Sequence, residues 1–189
     1  NDPVNFVGLA NFRELLNDPR IWENFIVTAK YVIVSVSGQM VVGFGLALLL
    51  NRAIPYKGFI TTLLLLPMMM SMAVVGLFWK LIYDPSWGPL NYALGLGDFA
   101  WLSDPNAALF AVALTDIWMW APFVMLLSLA GLSAVPQHLY EAAAIDRAGA
   151  WYTFTRITLP LVAPILLIAL IFRTMEAFKT FDPPFIMSG

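Results

Sequence analysis

Four stretches of this chain, about 25–50, 58–83, 107–132 and 159–178, each run twenty residues or more with at most two charged side chains. A helix needs about 20 apolar residues to cross a hydrocarbon core of about 30 Å. Backbone groups in lipid must be satisfied within the segment, so each stretch is expected to be a helix and not an open strand. The composition agrees. Of 189 residues, 60% are hydrophobic and 12% charged, against about half and about a quarter in soluble domains. That excess is too large for a core of this size, and lipid is the solvent it fits. The expected fold class is all-α, a polytopic transmembrane helical bundle in one domain over 1–189.

Other classes drop out on residue counts. The chain has no Cys and one His, His138, so thiolate chemistry, disulfides and His-pair metal sites are excluded. A net charge of -2 leaves no basic footprint for nucleic acid. No Gly-rich loop ending in Gly-Lys-Ser or Gly-Lys-Thr is present, so the chain is not expected to hydrolyse ATP or act as an enzyme. It begins at Asn1 without Met or a signal-peptide pattern and stops at Gly189 after a loop-like Phe181-Asp182-Pro183-Pro184 run. It therefore reads as part of a longer chain, with flanking spans upstream and downstream.

Basic residues set the orientation. Arg52 and Lys57 follow the first span, and Arg147 and Arg156 follow the third. The 84–106 loop has no Lys or Arg but carries Asp84, Asp98 and Asp104. The positive loops are expected on the cytoplasmic side, and the 84–106 loop and both chain ends outside. Trp87 and Trp101 in that loop suit an interfacial aromatic belt. The segment from Phe6 to Asn24 has helical spacing at Phe12, Leu15, Leu16 and Trp22. It reads either as a helix on the outer surface or as an ordered connector.

The loop over 133–158 is the most informative. Pro136 fits a first helical turn, and Glu141 near that start would favour the positive end of the helix dipole. Ala142, Ala143 and Ala144 are strong helix formers with little bulk, and Gly149 is placed to end the helix. Leu159-Pro160 then opens the fourth span. Two readings of these residues stand. One is a docking helix, whose small side chains let a partner approach and whose Glu141, Asp146 and Arg147 offer polar contacts. The other is a solvated connector.

Glu141-Ala142-Ala143, with Asp146, Ala148, Phe154, Ile157, Leu159 and Pro160 at fixed spacing, resembles the EAA signature of ABC-importer permeases. The stretch from Met119 to Tyr140 and the Gly88-Pro89-Leu90-Asn91 run resemble the carbohydrate-uptake branch, the maltose and glycerol-phosphate type. The resemblance implies a type I importer fold in a bacterial plasma membrane, multi-pass, importing a sugar-like solute. It implies a second permease subunit in a heterodimer, two cytoplasmic ATPase subunits and an external solute-binding protein. The EAA helix would seat on an ATPase, through Glu141, Ala142, Ala143, Asp146, Arg147 and Gly149. No cofactor is expected on this chain, since ATP and Mg would be held by the ATPase partner. The family usually has Gly where Arg147 stands. An Arg disfavours a left-handed backbone, so either this position is helical or Gly149 takes over the turn. Arg147 is then free to pair with an acid on the ATPase.

Ionisable residues inside spans are costly and face a cavity or a partner. Asp116 lies near the middle of the third span, with Met119, Trp120 and Phe123 on its face at helical spacing. Arg173, about 21 Å into the fourth span, is followed on one face by Glu176, Ala177 and Thr180. Carboxylate and guanidinium groups bind sugar hydroxyls. The resemblance places the solute pathway on these helices, at Asp116, Met119, Trp120, Arg173, Glu176, Ala177 and Thr180. The plainer alternatives are that Asp116 only bonds a neighbouring helix and that Arg173 and Glu176 form an i,i+3 pair. Pro67 and Pro122 interrupt the second and third spans and free the carbonyls of Leu63 and Trp118, fitting either a cavity lining or a packed kink. Gly43 and Ala47 read as a small-xxx-small pair marking close helix packing. An ion-coupled secondary transporter or a channel would explain Asp116 and the broken helices but not the EAA loop.

Overall fold

A computed structural model describes residues 8–180 and Met187. Phe6 and the Phe181-Asp182-Pro183-Pro184 run lie outside them. The described elements are helical: α1 (Ala10–Asn17), α2 (Pro19–Leu50), α3 (Lys57–Leu65), α4 (Met72–Ile82), α5 (Pro89–Leu94), α6 (Pro105–Ala134), α7 (Gln137–Ile145), α8 (Ala150–Thr153) and α9 (Leu159–Ala177). Asp18 and Asp104 cap α2 and α6 by accepting from the first backbone N–H groups, and Pro19 and Pro105 follow them where no helical donor is needed.

Among the described residues, three helices are long and apolar enough to cross a membrane: Pro19–Leu50, Pro105–Ala134 and a continuous Ala150–Ala177. The fourth span therefore starts well before Leu159. A π-helical turn, Phe154–Thr158, joins α8 to α9. Pro160 has no N–H for the Arg156 carbonyl and its ring crowds it, and the widened turn absorbs both defects. The segment 150–158, expected as loop, is the first part of this helix.

The second span, expected as one helix over 58–83, is two. Pro67 starts a short 3-10 turn, Pro67–Met69, and Met70 is extended at φ -82°, ψ 150°. Ser71 then caps α4 by accepting from the Val74 N–H. Pro122, by contrast, lies inside an unbroken α6. Both prolines line one apolar cavity of about 460 Å³, with Leu63, Trp118, Met70 and Phe78. The helix break at Pro67 and the intact turn at Pro122 thus border a shared space between α2, the broken span and α6.

The α2–α3 turn and the broken span return the chain so that α2 and α6 run parallel. Gln39 meets Asp116, and four residues on, Gly43 meets Ala121 and Val124. α9 runs antiparallel to both, with Gly131 of α6 against Val162 and Ile165. Ala47, Leu50, Met125, Leu132 and Val162 form the core where α2 and α6 end and α9 begins. At the opposite end Val32, Val36 and Ala177 pack together.

The 84–106 loop is held by polar contacts. Asp84 Oδ1 accepts from the N–H groups of Ser86 and Trp87. Buried Asn91 donates to the carbonyls of Pro85 and Phe99 and accepts from Trp101 Nε1. Trp101 is therefore a loop anchor, packed edge-on to Phe99, while Trp87 is exposed. At the N-terminus, Trp22 Nε1 donates to the Leu16 carbonyl and ties α1 to α2.

Gly43 and Ala47 are buried in the α2–α6 contact. A Cβ on Gly43 would stand 2.6 Å from the Ala121 carbonyl oxygen and 2.6 Å from Val124 Cβ. Gly45 has open space. Gly43→Ala is expected to destabilise the folded chain by about 1–3 kcal/mol through overpacking. Gly45→Ala is expected to be neutral or to stabilise it by up to about 1 kcal/mol. Unfolding midpoints in mixed micelles check the contrast.

Candidate functional site

Asp116 of α6 and Arg173 of α9 meet in the interior, Arg173 Nη2 lying 3.8 Å from Asp116 Oδ1. They are 4% and 2% exposed. Gln39 of α2, fully buried, stands between them. Its Nε2 donates to Asp116 Oδ2 at 2.6 Å, and its Oε1 accepts from Arg173 Nε at 2.8 Å. A side-chain amide carries a donor on one edge and an acceptor on the other, so one neutral residue can satisfy an anion and a cation together. The bridge joins the three long helices.

Trp120, one turn beyond Asp116, covers the guanidinium, with Arg173 Cζ 4.3 Å from the ring centroid. That is cation–π range. Trp120, Phe123, Leu127, Ile168, Phe172, Arg173 and Glu176 line a groove of about 440 Å³ between α6 and α9. Its walls are aromatic and aliphatic, with one exposed carboxylate, Glu176. Glu176 pairs with Lys179 at 3.2 Å rather than with Arg173.

The seven residues read as a pathway thus separate. Asp116 and Arg173 form the buried bridge, and Trp120 and Glu176 share the groove with Arg173. Met119 and Ala177 are buried in packing. Thr180 donates to the Glu176 carbonyl just beyond the end of α9. Asp116 does bond a neighbouring helix, and through Gln39 it also reaches the α9 cation. Gln39 was not singled out from the sequence. Its signal was an amide in an uncharged stretch, where such side chains hydrogen-bond across helices.

The second candidate is α7. Pro136 precedes it as the capping residue with ψ 130°, and the helix begins at Gln137. Glu141 therefore sits in the second turn, past the reach of the dipole at the N-terminus. The helix ends at Ile145, well before Gly149. Ala148 N–H bonds the Ala143 carbonyl and Arg147 N–H bonds the Ala144 carbonyl, the paired closure of a Schellman motif. Arg147 occupies its left-handed position at φ 52°, where glycine is ordinarily favoured. So Arg147 itself takes the left-handed backbone, at a cost of about 1–2 kcal/mol, and the two closing bonds hold it there. Gly149, at φ -67° and ψ 154°, caps α8 instead. Glu141, Ala142, Asp146 and Arg147 are exposed, whereas Ala143 is buried. Ile145 is 81% exposed, a large apolar side chain at the tip that the sequence reading passed over.

These two features, an exposed small-residue helix and a groove backed by a buried ion pair, sit in a chain whose residues 39–184 match the family described as binding-protein-dependent transport system inner membrane component. The chain belongs to this family. Among its relatives are the trehalose/maltose transport system permease protein MalF of Thermococcus litoralis, 39% identical over 97% of this chain and 63% of the relative. Another is the sulfoquinovosyl glycerol transport system permease protein SmoG of Agrobacterium fabrum, 37% identical over 99% and 62%. The trehalose transport system permease protein SugA of Mycobacterium tuberculosis is 36% identical over 97% and 60%. The chain thus spans about three fifths of the length of these curated relatives.

Its fold is that of ABC-importer permeases. It matches the crystal structure of a bacterial ABC transporter involved in the import of the acidic polysaccharide alginate, with a TM-score of 0.83 at 22% identity over 98% of this chain and 70% of the other. It also matches bacterial alginate ABC transporter in complex with alginate pentasaccharide-bound periplasmic protein, with a TM-score of 0.81 at 24% identity over 96% and 68%. The family match begins at Gln39 and takes in all three members of the bridge.

Removing one member of a buried charge pair strands the other, which costs about 3–5 kcal/mol. Asp116→Ala and Arg173→Ala are each expected to lose that much, and the double variant about 1–3 kcal/mol less than their sum. A double-mutant cycle on unfolding free energy in micelles measures the coupling. Strict additivity would contradict it.

Proposed function

We propose that this chain forms one side of the membrane path of a binding-protein-dependent ABC importer for a sugar or sugar-like solute. Family membership carries the transport reading. The relatives' names, which concern trehalose, maltose and sulfoquinovosyl glycerol, support the solute class. The path runs along the groove of Trp120, Phe123, Arg173 and Glu176, whose aromatic walls suit the apolar faces of sugar rings.

In this reading the chain is not catalytic. ATP and magnesium are bound by two cytoplasmic ATPase partners, and a second permease subunit completes the path as a heterodimer. An external binding protein delivers the solute, as the periplasmic protein in the alginate transporter complex suggests. The membrane is the bacterial inner membrane, with α7 on its cytoplasmic side beside Arg52, Lys57, Arg147 and Arg156.

α7 is the coupling element. It presents Glu141, Ala142, Asp146 and Arg147 with Ile145 at its tip, and small residues let a partner groove close on it. Its Schellman closure makes it a rigid lever. Tyr140 also shares a 3.0 Å hydrogen bond with Thr158 in the π turn, so a push on α7 reaches α9 directly. A channel or an ion-coupled transporter has no use for such a helix.

Co-purification of the ATPase subunit with the tagged complex tests the coupling. Glu141→Lys and Ile145→Asp are expected to release the ATPase while leaving the membrane subunits assembled. Trp120→Ala is expected to keep the ATPase bound and lower solute uptake at least tenfold. Retained ATPase in both α7 variants would overturn the docking assignment, and unimpaired uptake by Trp120→Ala would overturn the path.

A further inference from the structure

The groove carries a cation that it does not show. Arg173 is the basic residue lining it, yet the residue is 2% exposed. Its Nε is committed to Gln39, its charge is balanced by Asp116, and its Cζ lies 4.3 Å from the Trp120 ring centroid. Its Nη2 is sealed from solvent and makes no hydrogen bond among the described residues. Glu176, the carboxylate lining the groove, is paired with Lys179. Arg173 and Lys179 are thus each held by an anion, and the rest of the groove lining is aromatic and aliphatic.

We propose that the Gln39–Asp116 clamp is a specificity device. It withholds the Arg173 charge from the path and so sets the path for uncharged saccharides against anionic ones. Gln39 is the positioning residue. It holds the guanidinium through Nε, where Trp120 covers it, and it touches no solute itself. The inference rests on the reading of this groove as the solute path and adds the charge class of the solute. The logic is one of exclusion. A carboxylate or phosphate entering the groove would lose its water, find the Arg173 charge withheld, and meet a Glu176 carboxylate that already holds the exposed Lys179. A sugar ring loses little there and gains a Trp face.

The test varies the charges of the bridge and of the solute. Asp116→Asn keeps an oxygen for Gln39 Nε2 but removes the counter-charge of Arg173. Asp116→Asn/Arg173→Gln removes both charges, and Asp116→Glu keeps both. The full complex, with its second permease, ATPase and binding protein, is reconstituted in proteoliposomes. It is offered a panel of neutral disaccharides (maltose, cellobiose, lactose), each matched with its own aldonate. The binding protein is the same in every arm, so a changed ratio of aldonate to neutral uptake arises in the membrane.

The wild type is expected to favour the neutral sugars. Asp116→Asn is expected to raise the aldonate ratio about tenfold or more, as an unbalanced unit charge within several Å at an effective dielectric near 20 would do. The double variant and Asp116→Glu should return it to the wild-type value. An assembled Asp116→Asn complex with an unchanged ratio would overturn the proposal. Should that variant fail to assemble, the wild type decides alone, because equal uptake of an aldonate and its parent sugar overturns it as well. Failure of the underlying reading looks different. In that case no saccharide of the panel is carried, or Trp120→Ala carries them unimpaired.

Discussion

A carboxylate and a guanidinium are buried 3.8 Å apart between three apolar helices, with one amide filling the space between them. In lipid there is little other drive for helices to associate, because the tails are as apolar as the side chains. The bridge supplies a directional one. It fixes the rotation of α2, α6 and α9 together, since a turn of any of them would strand a charge. It also explains why Trp120 faces the groove: the ring lies over the cation that the bridge holds in place.

Close packing does the rest of the alignment. Gly43 lets the α6 backbone approach α2 four residues past Gln39, and Gly131 gives the same clearance to Val162 and Ile165 of α9. The bridge sets rotation and these small residues set distance. Where the chain needs irregular backbone it places it beside a cavity. Pro67 and Pro122 border one apolar space, and only Pro67 breaks its helix. Serine at position 71 can restart a helix after the break, which a periodicity argument does not see.

Much of this was legible in the sequence. Charge-poor runs of about 20 residues gave the long helices, and Gly43 and Ala47 gave the tight contact. Asp116 and Arg173 stood out as intramembrane charges. Their partner did not, because Gln39 carries no charge and lies 77 residues from Asp116, and nothing local specifies that contact. The ends of α7 were misread for a related reason. Propensity argues that Arg avoids a left-handed turn, whereas Arg147 adopts it at φ 52°. Two backbone hydrogen bonds from the closing turn hold it there. Tertiary and cap geometry outweighed a single-residue preference at both places. The EAA spacing, by contrast, was readable as resemblance, and the family match agrees with it.

The central claim is that the face shared by Trp120, Phe123 and Glu176 is a water-filled solute path and not a lipid-facing or packed wall. The chain has no cysteine, so single cysteines report cleanly. The most direct measurement is the rate at which a charged, membrane-impermeant thiol reagent labels Phe123→Cys and Glu176→Cys in the assembled complex during turnover. Buried Met119→Cys serves as the reference. The account predicts labelling of the two groove cysteines, slowed by the transported saccharide, and no labelling at 119. A Phe123→Cys as inert as Met119→Cys in a complex that still transports would contradict it.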